Sequence, residues 1–184
     1  MKADGPRVSG YLKRLQEAIT ASVEGMTPEQ LRWHLEGKWS AVEVLEHLYL
    51  TYSGTTKGCE RCLEKGSQAG LATFKNRLGQ FIVITCGHMP GGLKAAERLQ
   101  PKGLAMEQVV GEIGLRIGET DEALQRCESQ FGRRTKFLNH PVLGPLTAAQ
   151  WRKFHWVHGW HHVKQIRLLR KLSGVGKEIQ TRSR

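Results

Sequence analysis

Long apolar runs are missing from this sequence. The longest, from Phe81 to Cys86, is far below the ~18 residues that a membrane-spanning helix requires. The stretch from Met1 to Pro6 also lacks the apolar core of a secretory signal peptide. We therefore expect a cytoplasmic protein that has no membrane partner.

Cysteine is scarce, with only Cys59, Cys62, Cys86 and Cys127 in a chain of 184 residues. Cys59-x-x-Cys62 has the spacing of half a zinc site or of a redox pair. No second C-x-x-C exists, and the local pattern is helical without a βαβ context, so a structural role is favoured. The phosphate-binding P-loop and the G-x-S-x-G motif of hydrolases are absent as well.

Acidic residues are also few. The chain has 17 Asp and Glu against 28 Lys and Arg, with a net charge of +11 and a pI of about 9.8, which invites a nucleic-acid interpretation. The basic excess is spread along the chain, however. Its densest parts, 133–136 and 164–184, lack the interleaved aromatic residues of a single-strand binding surface. A solvated basic face is favoured, and a nucleic-acid-associated protein is the less favoured alternative.

Apolar residues at helical spacing are abundant. Hydrophobic residues make up 39% of the chain and the mean hydropathy is −0.43, which is typical of a globular domain. Steps of three and four residues predict amphipathic helices, including one that starts near Val8 and a long one from Met106 to Phe131. Capping boxes predict three helix starts, at Thr27/Gln30, Ser40/Glu43 and Thr147/Gln150.

The predicted fold is all-α. A short helix containing Phe74 and Leu78 is expected before Gly87, and the last helix is expected from about Ala148 to Leu172. No segment alternates as a β-strand does. We predict a four-helix bundle with extra short helices, formed by residues 1–175 as one domain and followed by a basic C-terminal tail at 176–184.

The last helix carries polar residues where a bundle needs apolar ones. Steps of four and three select a row that is apolar at both ends and polar in the middle. A buried polar group without a partner costs on the order of 1–3 kcal/mol, so such a core is poor unless something satisfies it. An alternative buried face, through Phe154, Val157, His161 and Leu168, is shorter and still contains a histidine. The first row, with the polar residues in its middle, is Trp151, His155, His158, His162, Gln165, Leu169 and Leu172.

A divalent-metal site is the favoured explanation of this row. His158 and His162 are four residues apart, so on a helix both can point at one ion. His47, on the helix opened by Ser40, is a candidate third ligand. Three histidines leave open coordination positions, as in catalytic metal sites, and suit zinc, nickel, iron or manganese. The alternative is a cluster of interior histidines satisfied without a metal.

Other residues near these positions have candidate supporting roles. Glu43 and Glu46 are candidates for a catalytic base or for hydrogen bonds to a ligand. His155, His161, Gln165 and Trp151 are candidates for substrate contact or ligand support. His155 is ambiguous, because it lies one turn before His158, and Trp151 is most simply a packing residue.

Two segments resemble a known family. Trp39-Ser40-Ala41-Val42-Glu43-Val44-Leu45-Glu46-His47-Leu48 is similar to the W-S-x-x-E-x-x-x-H-L signature of the DinB-like (DinB/YfiT) superfamily. The second segment is similar to a bacterial branch of that superfamily, through His140-Pro141-Val142-Leu143-Gly144-Pro145-Leu146-Thr147 and the later His158-x-x-His161-His162.

The resemblance implies a four-helix bundle, often dimeric, that binds a divalent metal. By position the ligands would be His47, His158 and His162. It further implies an enzyme that acts on a small-molecule substrate, by transfer that depends on a low-molecular-weight thiol or by hydrolysis. A non-catalytic metal-binding or stress-response module is the alternative. We expect a homodimer on the same ground.

Overall fold

The computed structural model describes residues 10–92 and 94–182, with side chains as far as Gly174. Val8, in the first predicted helix, lies outside these residues. Within them the chain forms six α-helices, one π-helical turn at Phe81–Thr85, one 3-10 turn at Glu97–Leu99 and one two-stranded hairpin. The elements are α1 (Gly10–Val23), α2 (Pro28–Arg32), α3 (Ala41–Lys65), α4 (Phe74–Gln80), α5 (Met106–Phe131), β1 (Leu138–His140), β2 (Gly144–Leu146) and α6 (Ala148–Arg182).

The predicted helix starts are confirmed by reciprocal capping bonds. Thr27 and Gln30 form such a box at α2, and Ser40 and Glu43 form one at α3. At α6 the Thr147 amide donates to Gln150 Oε1 at 3.0 Å, and the Gln150 amide donates to Thr147 Oγ1 at 3.2 Å. Each box satisfies backbone N–H groups that have no partner within the helix, so it fixes where the helix begins.

The four long helices form the predicted bundle. α3 packs along α5, α1 packs along α6, and the two pairs face each other. Gly159 allows the close approach of α1 to α6, because a Cβ atom there would lie 2.6 Å from Leu15 Cδ2. The main apolar core includes Leu12 and Ile117 together with Val163, Ile166 and Leu169 of α6.

A second apolar cluster fills the hairpin end of the bundle. It includes Phe137 and Leu146 together with Trp151, Phe154 and Val157 from the first turns of α6. On α6 the histidines at 158 and 162 therefore fall between the residues of the two clusters. This position gives the polar stretch of the last helix an apolar region on either side.

The structure corrects two details of the sequence prediction. α6 continues to Arg182 instead of ending at Ser173-Gly174, and Gly174 keeps a negative φ. A single glycine costs a helix only about 1 kcal/mol relative to alanine, which does not force an end. The chain before α6 also forms an antiparallel hairpin, with Leu138 opposite Leu146, although no strand was predicted. In the part of the chain described, no helix has both the length and the apolarity to cross a membrane.

Candidate metal centre

α3 presents His47 toward α6 from its second turn. The side chain is buried, and its Nδ1 lies 2.8 Å from the carbonyl oxygen of Leu99 in the 3-10 turn. A carbonyl oxygen only accepts, so Nδ1 carries the hydrogen and donates it. The Nε2 atom of His47 is therefore left with a free lone pair that points away from Leu99.

α6 brings two more histidine nitrogens to the same point. His158 Nε2 lies 3.2 Å from His47 Nε2 and 3.0 Å from His162 Nε2. His162 Nδ1 lies 2.7 Å from Gln165 Oε1, to which it donates. His162 therefore has the same tautomer as His47, with its Nε2 lone pair directed into the cluster.

These three nitrogens fit a shared cation. Two nitrogens bound to one zinc ion at about 2.0–2.1 Å lie roughly 3.3–3.4 Å apart at a tetrahedral angle and roughly 2.9 Å apart at a right angle. The observed separations of 3.0 and 3.2 Å fall in or next to this range. All three ligand atoms lie within 4.8 Å of one another, and they are the one such group of metal-binding side chains among the described residues.

Hydrogen bonds alone would satisfy these three converging nitrogens poorly. His47 and His162 have no hydrogen on Nε2, so His158 can place at most one hydrogen among three converging nitrogens. Nδ1 of His158 is buried and has no hydrogen-bond partner among the described residues. A divalent ion would accept all three lone pairs at once, which is why the donor set fits a metal better than a hydrogen-bonded cluster.

Burial keeps the three histidines neutral, as metal ligands must be. It lowers the pKa of His162 to about 3, with a further contribution from His47. Burial and the neighbouring histidines hold the pKa of His158 well below its usual value. Burial also lowers the pKa of His47, and the bond to Leu99 offsets part of that effect. At neutral pH no proton has to be displaced before an ion binds.

Aromatic rings enclose the cluster. The Phe154 ring is stacked on His158 at a centroid distance of 5.2 Å, and the Trp39 ring lies 5.3 Å from that of His47. Neither Phe154 nor Leu99 was predicted as part of the site. Trp39 belongs to the W-S signature, which was the only signal for it. No sequence pattern points to the carbonyl of Leu99, since every residue has one.

The structure does not bring the two candidate carboxylates to the histidines. Glu43 is occupied by the cap of α3, where it accepts from the Ser40 amide at 2.8 Å. Glu46 is buried and accepts from the amides of Lys102 and Gly103 at 2.6 and 3.1 Å. Glu46 therefore anchors the segment next to Leu99. Both carboxylates therefore have hydrogen-bond partners outside the histidine group, and a role for either as a catalytic base stays a prediction.

The remaining candidates divide between support and packing. Gln165 bridges His162 and His161, since its Nε2 lies 3.2 Å from His161 Nε2. Trp151 is buried and donates from Nε1 to the carbonyl of Leu138 at 3.3 Å, so it holds the hairpin. His155 is fully buried and stacks on Tyr52 at 4.9 Å, and neither of its ring nitrogens has a partner among the described residues.

The cysteines lie apart from the histidine group. Cys59, Cys62 and Cys127 are buried as free thiols in the second apolar cluster, and Cys86 is exposed. Hydrogen bonding to Cys127 and burial raise the pKa of the Cys59 thiol. Burial likewise raises the pKa of Cys62. Thiols that resist ionisation are poor nucleophiles and poor metal ligands, which agrees with the structural role favoured for Cys59-x-x-Cys62.

Comparison with known proteins identifies a family for this chain. The model of the DinB superfamily matches residues 11–166, a range that contains all three clustered histidines. No curated protein and no solved structure gives a significant match to the chain.

Proposed function

This chain belongs to the DinB superfamily, and from that premise we propose that His47, His158 and His162 bind one divalent transition-metal ion for chemistry on a small molecule. The observation that carries the proposal is the convergence of three neutral Nε2 atoms, two of them 3.2 and 3.0 Å from the third. Hydrogen bonds at Nδ1 of His47 and His162 support it, because a ligand histidine commonly donates its other N–H to a fixed acceptor.

A metal at this point would make a coordinated water or thiol easier to deprotonate. This chain's residues would orient the ion through Leu99 and Gln165 and restrict water through Phe154 and Trp39. Glu43 and Glu46 already accept hydrogen bonds from backbone amides, which makes either less ready to act as a general base. A thiol is far more acidic than water and needs less help to ionise. This difference favours thiol-dependent transfer over hydrolysis, with a low-molecular-weight thiol as cosubstrate.

The engagement of both carboxylates with other groups also favours a second candidate. A metal-binding or stress-response module without catalysis would need the three ligands but no base. A turnover assay distinguishes the enzyme from the non-catalytic module. Metal-loaded protein should consume a small thiol with an electrophilic acceptor, or cleave simple esters or amides. Loaded protein that shows neither reaction is a metal-binding module. The homodimer and the cytoplasmic location stay predictions.

Metal content is the direct test of the site. We expect purified protein, after exposure to zinc, nickel, iron or manganese, to hold about one ion per chain, since the three nitrogens form one cluster. His158→Ala and His162→Ala should lose most of it, because two ligands seldom hold an ion tightly. Elemental analysis of the desalted proteins measures this.

His34→Ala is the matched control, because His34 is exposed and its Nδ1 bonds only to the neighbouring Leu35 carbonyl. It should bind metal as the unchanged protein does. If the unchanged protein takes up no ion, or if His158→Ala takes up as much as His34→Ala, the proposed site is wrong.

A further inference from the structure

An apolar stripe on and beside α4 lies in solvent. Its four residues, here called the α4 stripe, are Leu71, Phe74, Leu78 and Phe81, and they are 98%, 83%, 51% and 57% exposed. An aromatic side chain carries about 150–250 Å² of surface, so the two phenylalanines alone present on the order of 300 Å². Contiguous apolar surface of this size on a water-soluble fold marks an interaction site more often than chance.

The rest of α4 explains why the stripe faces outward. On the opposite side of the helix, Asn76 Nδ2 donates to the Val142 carbonyl at 2.8 Å, and Gln80 Nε2 donates to the Leu143 carbonyl at 2.6 Å. Polar residues therefore attach α4 to the hairpin loop by hydrogen bonds, and the apolar residues face solvent. This is the reverse of the usual amphipathic arrangement, in which the apolar face is buried.

The stripe has the spacing of a helix-pairing seam. Its members follow one another at three, four and three residues, which is the a/d spacing of interlocking helices. Phe74 and Leu78 lie on α4 itself, Leu71 comes just before the helix, and Phe81 begins the π-helical turn. If Phe74 is a d position and Leu78 an a position, Lys75 and Arg77 take the flanking e and g positions. Both flanks are basic and exposed.

The surroundings of the stripe share this charge. The sequence from Lys65 to Ala96 contains no Asp or Glu, and neither does the sequence from Gly132 to Thr147, which holds the hairpin. Lys136 from the second of these segments reaches Gln80 on α4, at 3.4 Å between Nζ and Oε1. Lys75, Arg77 and Lys136 therefore place basic groups on or against α4, and neither of these two segments supplies an acidic residue to offset them.

We propose that the α4 stripe docks an amphipathic helix of a partner protein, with apolar a/d residues and acidic e/g residues. Charge decides against a second copy of this chain as the occupant. Pairing α4 with itself, in either orientation, would set Lys75 and Arg77 against the same basic residues of the other copy. An acidic helix gives opposite charges at these positions, which fixes the partner and the register.

A designed peptide tests the proposal on the full chain. The probe is a fluorescently labelled helical peptide of about three heptads, with Leu at a and d and Glu at e and g. The control peptide is the same except that it has Lys at e and g. Fluorescence anisotropy should show that the Glu peptide binds at least about tenfold more tightly than the Lys peptide. Phe74→Ser should weaken Glu-peptide binding at least about tenfold, as loss of a central aromatic contact does.

Two further variants sharpen the test. Lys75→Glu combined with Arg77→Glu should reverse the preference, so that the Lys peptide binds better. Leu115→Ser is the matched control, since Leu115 is also an exposed apolar residue, at 57%, but lies on α5. It should leave both affinities within about twofold. Phe74→Ser should also keep the metal content of the unchanged protein, which separates failure here from failure of the metal site.

Four results would overturn the proposal. The first is no binding of the Glu peptide, and the second is equal loss of binding in Phe74→Ser and Leu115→Ser. The third is a dimer in sedimentation velocity that Phe74→Ser disrupts, because a second copy would then occupy the stripe. The fourth is binding of phosphatidylglycerol vesicles or DNA, but not of the Glu peptide, that is lost in Phe74→Ser.

Discussion

Gln165 shows how one exposed side chain can govern a buried one. Its Oε1 accepts from His162 Nδ1 at 2.7 Å, and its Nε2 contacts His161 Nε2 at 3.2 Å. The amide thereby sets the tautomer of His162 and limits rotation of the ring. Without it, Nε2 of His162 would point at the cluster only part of the time, and some molecules would carry the hydrogen on Nε2 instead.

We predict that Gln165→Ala weakens metal binding by about 10- to 100-fold, the usual effect of removing a partner of a ligand histidine. Gln165→Glu should retain most of the affinity, because its carboxylate still accepts from Nδ1. Competition with a chromophoric chelator measures both. Lys164→Ala, at the exposed neighbouring position, is the control. Unchanged affinity in Gln165→Ala would mean that packing alone orients His162.

The residues of the candidate site differ in how far sequence reveals them. His158 and His162 stand out because histidines interrupt an apolar row at a spacing of one helical turn. His47 was found from its place beside the apolar stripe of another helix, and the resemblance agreed with that choice. The acceptor of its Nδ1–H, by contrast, is the backbone of Leu99 in a distant turn. Its position depends on a loop path that periodicity does not encode.

At the scale of elements, the hairpin before α6 is closed by a histidine. His140 Nδ1 accepts the amides of Val142 and Leu143, both at 3.1 Å, and its ring lies 4.4 Å from that of Phe154. The ring must be neutral at Nδ1 to accept these bonds. Burial lowers the pKa of His140 to about 4, and the charge of Arg98 adds to the effect.

This lowered pKa predicts a stability change with pH. In the unfolded chain His140 should titrate near its ordinary value of about 6.5, so between about pH 6.5 and 4 the unfolded state binds the proton and the folded state does not. The contribution of His140 to the free energy of unfolding is therefore fully present above about pH 6.5 and is lost as the pH drops toward 4. Each proton of this kind contributes a slope of up to about 1.4 kcal/mol per pH unit.

His140→Asn isolates that contribution, because asparagine can accept the same turn amides and does not titrate. Urea unfolding of metal-free protein at several pH values should give the variant a shallower slope than the unchanged protein between pH 6.5 and 4. His34→Asn, at an exposed histidine, should leave the slope unchanged. Equal slopes for all three proteins would show that His140 binds its proton equally well in the folded and unfolded states.

Elements were predicted best where a cap and a buried face agreed. α3 is the example, since Ser40 and Glu43 cap its start and Leu45 and Leu48 are buried as their spacing indicates. α5 was predicted from its buried face alone, through Ile113 and Ile117, because no side chain caps its start. The stripe of α4 has the same periodicity, yet Phe74 is exposed. Periodicity marks a helix with an apolar face, but whether another element covers that face depends on the tertiary arrangement.

At the scale of the whole molecule, the candidate site links two helices that are far apart in sequence. His47 comes from α3 and the other two histidines from α6. An ion held by all three would act as a cross-link between these helices that exists only in the folded state. Binding to the folded state alone stabilises it by mass action.

Chelation should therefore lower the melting temperature of metal-loaded protein. At free metal about 100 times Kd the ion contributes about 2.7 kcal/mol, which for a chain of this size corresponds to roughly 5–10 °C. Differential scanning fluorimetry with and without a chelator measures the shift. His158→Ala should show no shift and His34→Ala the full one. A full shift in His158→Ala would place the stabilising ion elsewhere.

The segment from Ser40 to His47 combines three tasks in two turns of one helix. Ser40 and Glu43 begin the helix, Glu46 holds the amides of Lys102 and Gly103, and His47 faces the histidines of α6. In evolutionary terms this leaves little freedom to drift, because a change that loosens the cap or the anchor also displaces a ligand. When one short segment has several structural roles, its motif can stay recognisable after the rest of a sequence has diverged.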